Sequence, residues 1–141
     1  MNYLKYIFKN IILLTFYGLT YIGIEYLYRG YSHWTMMITG GLCGFFIGKI
    51  NEYIPWKMPI WKQILYGEII VLILEFVTGC IVNMYLNWNI WDYSSLPFNL
   101  YGQICLPFAI LWIPLILVTI ILDDYLRYWW FREERPRYYW Q

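Results

Sequence analysis

The sequence predicts an all-α polytopic membrane protein, a four-transmembrane-helix bundle with both termini cytoplasmic. Three observations predict it. The chain has 141 residues, 61% hydrophobic and only 13% charged, whereas an ordinary globular chain is about a quarter charged. A soluble domain of this size keeps too much surface wet to hide that much apolar area. Its apolar residues fall in four continuous runs rather than an alternating pattern, which favours helices over a barrel. Of ten Lys and Arg residues, only Arg29 lies outside the segments that share one side in this arrangement, and such an asymmetry orients membrane proteins.

About 20 apolar residues cross a bilayer as a helix. The chain divides as a single membrane domain, 1–141, with spans at about 6–28, 33–50, 62–86 and 100–122 and an aromatic-basic cytoplasmic tail at 123–141. Span one follows Lys5 and Lys9 as a signal peptide would. It has no small-residue cleavage site and stays apolar through Tyr28, so it reads as a retained span. Near its end Glu25 and Arg29 are four apart and can pair on one helical face. His33, at the edge of span two, reads as a hydrogen-bonded interface residue.

Span two carries Gly40, Gly44 and Gly48 on one face, a spacing that lets another backbone approach closely. The approaching helix can be one of this chain or of a second copy. The short loop that follows holds Lys49, Lys57 and Lys62, with Pro55 and Pro59 stopping helix continuation and Trp56 and Trp61 suited to the membrane interface.

Span three presents Glu68 and Glu75 two turns apart, with Asn83 extending the same stripe. A carboxylate within the bilayer is costly and faces protein or water. Glu68, nearer the inner surface, is within reach of the headgroups. Glu75 is close to mid-span and stays open between a structural hydrogen-bonder and a functional proton, ion or substrate group.

Span four contains Pro107 and Pro114, each able to remove a backbone donor and kink the helix. Asp123 and Asp124 stand at its inner end, where Arg127 can pair with Asp123. The tail, with Arg132, Arg135 and Arg137 among aromatic residues, reads as an anchor along the inner leaflet.

Between spans three and four lies an outer loop without Lys or Arg, containing Trp91, Asp92, Tyr93, Ser94, Ser95, Pro97, Phe98 and Asn99. Asp and Ser build turns, Asn99 is placed to cap span four, and Trp88, Trp91, Tyr93 and Phe98 suit an interfacial belt. Asp92 is also placed to reach Arg29.

The stretch "WDYSSLPFNLYGQICLPFAILW" resembles the signature of the putative ABC-transporter type IV family, small bacterial multi-span membrane proteins. That signature runs W-D-Y-S, two residues, P-F-N, two residues, G-[RQ]-I-C-L and a later tryptophan. Trp91 to Ser94, Pro97 to Asn99, Gly102, Ile104 to Leu106 and Trp112 stand in those places. Gln103 stands where many members carry arginine, which removes a possible partner for Glu75 or Asp92. "LEFVTG" places Glu75 at the family's acidic helix position, and "EYLYRG" places Glu25 and Arg29 in the family's first-span pattern. The resemblance implies a permease-like protein.

The net charge of +1 gives no nucleic-acid footprint. Three cysteines without a C-x-x-C pair and a single histidine give no metal-ligand spacing. No G-x-x-x-x-G-K-[ST] loop is present, so no nucleotide is expected on this chain, and no cofactor either. No nucleophile–base set is visible, so an enzyme is not expected. The reading is a permease-like transport or permeation component in the cell membrane, with a polar site drawn from Glu25, Arg29, Glu68, Glu75, Asn83 and Gln103. A homo-oligomer or a partner membrane protein completes any pathway. The alternatives are a non-transporting scaffold, sensor or assembly module, and a holin-like pore former.

Overall fold

The fold follows from helices that must satisfy their backbone internally while presenting apolar side chains outward. The computed structural model describes residues 2–140. They form α1 (Tyr3–Arg29), α2 (Trp34–Tyr53), α3 (Ile60–Gly79) continued by a π-helical turn (Cys80–Tyr85), and α4 (Leu106–Phe131). No strand occurs among the described residues beyond an isolated bridge between Leu100 and Ile104.

Each boundary has a local cause. Asn2 caps α1 by accepting from the Leu4 amide at 3.2 Å. Gly30, at φ 78°, ends the helix in the left-handed conformation that glycine adopts without strain. His33 caps α2, its Nδ1 accepting from the Thr35 amide at 3.3 Å. Pro55 and Pro59 confine the turn before α3.

α4 begins at Leu106 rather than near residue 100, and it runs to Phe131, well into the segment read as tail. Asn99 therefore does not cap it. Pro107 stands in the first turn, where no donor is needed, so it starts the helix instead of kinking it. Pro114 alone lies inside the helix.

α1, the α3 segment Ile60–Tyr85 and α4 are each long and apolar enough to cross a membrane. α2 is not among these three, for a physical reason. It packs on each of α1, α3 and α4, and Met36, Gly40, Cys43, Gly44, Ile47, Gly48 and Ile50 are all buried. A helix wrapped by its neighbours needs less lipid-facing apolar surface. The outer helices show the complement: Leu27, Ile69, Ile73, Ile110 and Val118 stand exposed. The core itself joins Cys43, Ile47 and Ile50 of α2 to Ile60 and Val71 of α3 and Ile116 and Ile120 of α4.

The glycine face of α2 is used within the chain. A side chain at Gly40 would collide with the Tyr21 ring, one at Gly44 with Tyr17, and one at Gly48 with the Asp123 carboxylate. Two further glycines bring the backbones together: a Cβ on Gly41 would lie 2.9 Å from the Leu14 carbonyl oxygen, and one on Gly18 would lie 2.6 Å from that of Met37.

A buried polar network ties together the start of α1, the end of α2 and the end of α4, the basic end of the bundle. Arg127 donates through Nε to Asp123 at 2.8 Å and through Nη2 to Asp124 at 2.6 Å. Tyr17 donates to Asp123 as well. Asn51 and Tyr138 donate to Asp124 at 2.6 and 2.8 Å. Lys9, only 1% exposed, bridges Glu52 at 2.7 Å and Glu133 at 3.3 Å. Lys49 joins Glu52 at 3.0 Å.

The tail beyond α4 makes contacts with the bundle itself. A left-handed turn at Arg132 sends it back under the bundle, where the Ile60 amide donates to the Tyr139 carbonyl at 2.7 Å. Trp56 donates to Glu134 at 3.2 Å, and its ring packs edge-on against Tyr138. Burial, followed by the neighbouring Asp124, pushes the Tyr138 phenol well above its usual range, so it stays a donor. Trp129, Trp130 and Trp140 remain exposed around this end.

Two stability predictions follow from this packing. Arg127→Ala leaves two buried carboxylates without their cation and destabilises by about 3–5 kcal/mol, measured as thermal unfolding in detergent. A loss no larger than that of Arg137→Ala, whose side chain is 58% exposed, would contradict a structural role for the network. Gly44→Ala is expected to lower the unfolding temperature because its methyl meets Tyr17 close to the backbone. Gly23→Ala, with nothing within 4 Å, is expected to be neutral or to stabilise by up to about 1 kcal/mol through helix propensity; equal effects at the two positions would rule out the close helix contact.

Candidate functional site

α3 carries Glu75 into the interior because its stripe of small and polar residues faces the bundle: Gly67, Val71, Glu75 and Gly79 are all buried. Glu75 lines a cavity of about 370 Å³ shared with Glu25, Arg29 and Tyr28 of α1, Tyr93 of the outer loop, and Phe108 and Trp112 of α4. Two separate polar groups therefore meet one space. Arg29 pairs with Glu25 at 2.7 Å, and Tyr21 donates to the other oxygen of Glu25 at 3.0 Å. Glu75 has a weaker partner, the Tyr93 hydroxyl at 3.4 Å. Burial, with Glu75 adding to it, pushes the Tyr93 phenol far above its usual range, so it serves as a donor.

Aromatic rings and the aliphatic residues Ile24, Leu111, Pro114 and Leu115 form the rest of the wall. Tyr21 and Trp112 stack with centroids 5.9 Å apart and planes 2° apart. Tyr93 and Phe108 stack at 4.7 Å. Pro114 cannot donate to the preceding turn of α4, and it sits on the cavity side of that helix. A second cavity, of about 110 Å³, continues towards the basic end between α1, α2 and α4. It shares Tyr21, Ile24, Trp112 and Leu115 with the first. Tyr17, bonded to Asp123, lies along its wall.

The other residues read from sequence as one polar site separate into different places. Asn83 and Gln103 join each other, not Glu75. Asn83 Nδ2 donates to Gln103 Oε1 at 2.9 Å, and Asn83 Oδ1 accepts from the Ile90 amide at 2.7 Å. Gln103 Nε2 donates to the Tyr101 carbonyl at 2.8 Å. The pair is a clamp holding the outer loop to the π-helical turn. Glu68 lies two turns from Glu75 towards the basic end, outside the lining of either cavity, and its carboxylate oxygens are buried with no hydrogen-bond partner among the described residues.

The outer loop is held by its own short-range bonds. Asp92 accepts from the Ser94 hydroxyl and, at 2.9 Å, from the Ser94 amide. These bonds hold its carboxyl below the usual carboxylate range. Asp92 thus does not reach Arg29, which Glu25 already engages. Asn99 ties the turn, donating to the Leu96 carbonyl at 2.9 Å and accepting from the Gly102 amide at 3.1 Å. Gly102 has φ 71°, and a Cβ there would lie 2.7 Å from both Asp92 Oδ1 and Ser94 Oγ; glycine meets both demands.

Trp91 is buried, not interfacial. Its indole donates to the Gln103 carbonyl at 3.0 Å, and its ring packs with Met36 and Val82. Pro97 and Phe98 lie on the exposed side of the loop. The contact sequence reasoning missed is Tyr93 with Glu75, since the two are 18 residues apart and no local spacing joins them. Among the described residues no group of His, Cys, Asp and Glu is arranged to hold a metal ion.

Searches of curated proteins and of solved structures give no significant match. A family model described as putative ABC-transporter type IV matches residues 2–134, which takes in α1 to α4, the outer loop and the whole Glu75 cavity. With nearly its full length matched and three helices able to cross a membrane, the chain belongs to the putative ABC-transporter type IV family.

Proposed function

We propose that the chain is a permease-like component of a membrane transport system, with the Glu75 cavity as part of its permeation path. The observation that carries this reading is the pair of cavities sharing Tyr21, Ile24, Trp112 and Leu115. The larger holds Glu75 and the Glu25–Arg29 pair. The smaller runs on towards the basic end. Tyr21 and Trp112, stacked on each other, belong to the lining of both, and Tyr17, which donates to Asp123, lines the smaller one.

In this reading α2 crosses the membrane with the other three helices, and both termini are cytoplasmic, because the basic end carries every Lys and Arg except Arg29. The protein acts without enzymatic chemistry of its own. Any ATP is bound by another polypeptide, and a second copy or a partner membrane protein completes the path, since four helices enclose little space. A scaffold that docks a partner on the glycine face is less well supported, because Gly40, Gly44 and Gly48 already receive Tyr21, Tyr17 and Asp123.

The test needs no knowledge of the substrate. Leu115 lines both cavities. In right-side-out and inside-out vesicles, Leu115→Cys is expected to react with a membrane-impermeant maleimide from both sides, above the background of Cys43, Cys80 and Cys105. Reaction from one side only, or from neither, would remove the path and leave a static membrane module.

A further inference from the structure

The walls of the larger cavity are specific about charge. Glu75 is 8% exposed, and its hydrogen-bond donor among the described residues, Tyr93, stands at 3.4 Å, at the long limit for such a bond. No Lys, Arg or His forms an ion pair with it among the described residues. Arg29, the cation of the same cavity, is held by Glu25 at 2.7 Å. The space therefore presents one carboxylate without a cation. Tyr21, Tyr93, Phe108 and Trp112 line the same cavity, and aromatic rings attract cations and above all alkylated ammonium groups. Ile24, Leu111 and Leu115 flank the cavity with exposed apolar surface on α1 and α4.

We propose that this cavity binds an amphipathic ammonium compound, with the cationic nitrogen against Glu75 and the aromatic rings and the apolar body between Ile24, Leu111 and Leu115. The proposal rests on the reading of the Glu75 cavity as the working site. Alternatives fit the walls less well. An anion would meet Glu75 and Glu25 with only a paired arginine to receive it. A wholly apolar ligand would leave Glu75 desolvated and unpaired, which is unfavourable. A strongly hydrated polar solute would lose its water to aromatic walls. The volume of about 370 Å³ suits a small organic ligand, whose pockets run from about 300 Å³ upwards. Entry is lateral from the bilayer, past Leu111 and Leu115.

The experiment is a calorimetric titration of benzyltrimethylammonium into the full chain in lipid nanodiscs, with empty nanodiscs as the partition background. Saturable binding at one site per chain is expected. Glu75→Gln is expected to weaken it by a factor of roughly 20 or more, as loss of one partner of a buried charge pair does. Trp112→Leu keeps an apolar wall, removes the π face, and is expected to weaken binding about threefold or more. It decides the matter if Glu75→Gln does not accumulate in the membrane. Benzenesulfonate, an anion of similar size, is expected not to bind. The proposal is overturned by the absence of saturable binding to the unaltered chain, as when an acyl chain fills the cavity. It is equally overturned by unchanged affinity in the accumulating variants, or by comparable binding of benzenesulfonate. Ammonium binding with one-sided maleimide labelling would keep the site and remove the path; two-sided labelling without ammonium binding would do the reverse.

Discussion

The structure depends on keeping Asp123 and Asp124 satisfied where water is scarce. Two adjacent carboxylates, each 2% exposed, require a cation and several donors, since an uncompensated buried charge is strongly destabilising. Arg127 supplies the cation with a planar guanidinium that reaches both acids at once. The remaining lone pairs draw Tyr17 from α1, Asn51 from α2 and Tyr138 from the tail. That demand sets the register of three segments against α4. It also explains why Gly48 lies directly on Asp123: a side chain there would separate the acid from its partners.

The opposite end is closed by neutral chemistry. Asn83 and Gln103 are amides, each able to donate and accept, and they pin the loop to the π-helical turn without charge. π-helical turns interrupt regular hydrogen bonding, commonly at functional sites, and here the turn brings Asn83 round to the Ile90 and Trp91 amides. Between two well-bonded ends the middle of the bundle is looser. α1 and α4 meet at the basic end through Tyr17 and Asp123 and line the two cavities above it. Glu75 sits in this middle region with one long hydrogen bond, from Tyr93, and no cation paired to it among the described residues, which is the condition under which a buried acid is available to something other than the fold.

Much of this was legible in the sequence and some was not. The helices were readable because apolar runs report directly on a lipid solvent, and the Glu25–Arg29 and Asp123–Arg127 pairs because four residues is one helical turn. Asn99, Asp92 and Trp91 were assigned to a cap, an ion pair and an interface, and each instead serves the loop. Helix start signals and turn signals use the same residue types, so only the position of Leu106 as the first helical residue separates them. Lys9 counts in the sequence only among the basic residues before span one, and it is buried against Glu52 and Glu133. Those acids lie 43 and 124 residues away, beyond any local pattern.

By itself the sequence determined an all-helical chain with all its cations but Arg29 grouped at one end, because helix periodicity, apolar length and charge placement are local properties of the chain. It also pointed to the family, since the signature residues of the loop lie within one short stretch, Trp91 to Trp112. Only the tertiary structure decided which polar residues share a space. Glu75 meets Glu25, Arg29 and Tyr93, while Asn83 meets Gln103. Residues on one helical stripe part company as soon as different neighbours cover different turns. The tail's inward contact was decided there too: its aromatic and basic composition suits a membrane surface, and only the fold brings Tyr138 to the buried Asp124, 14 residues away in sequence.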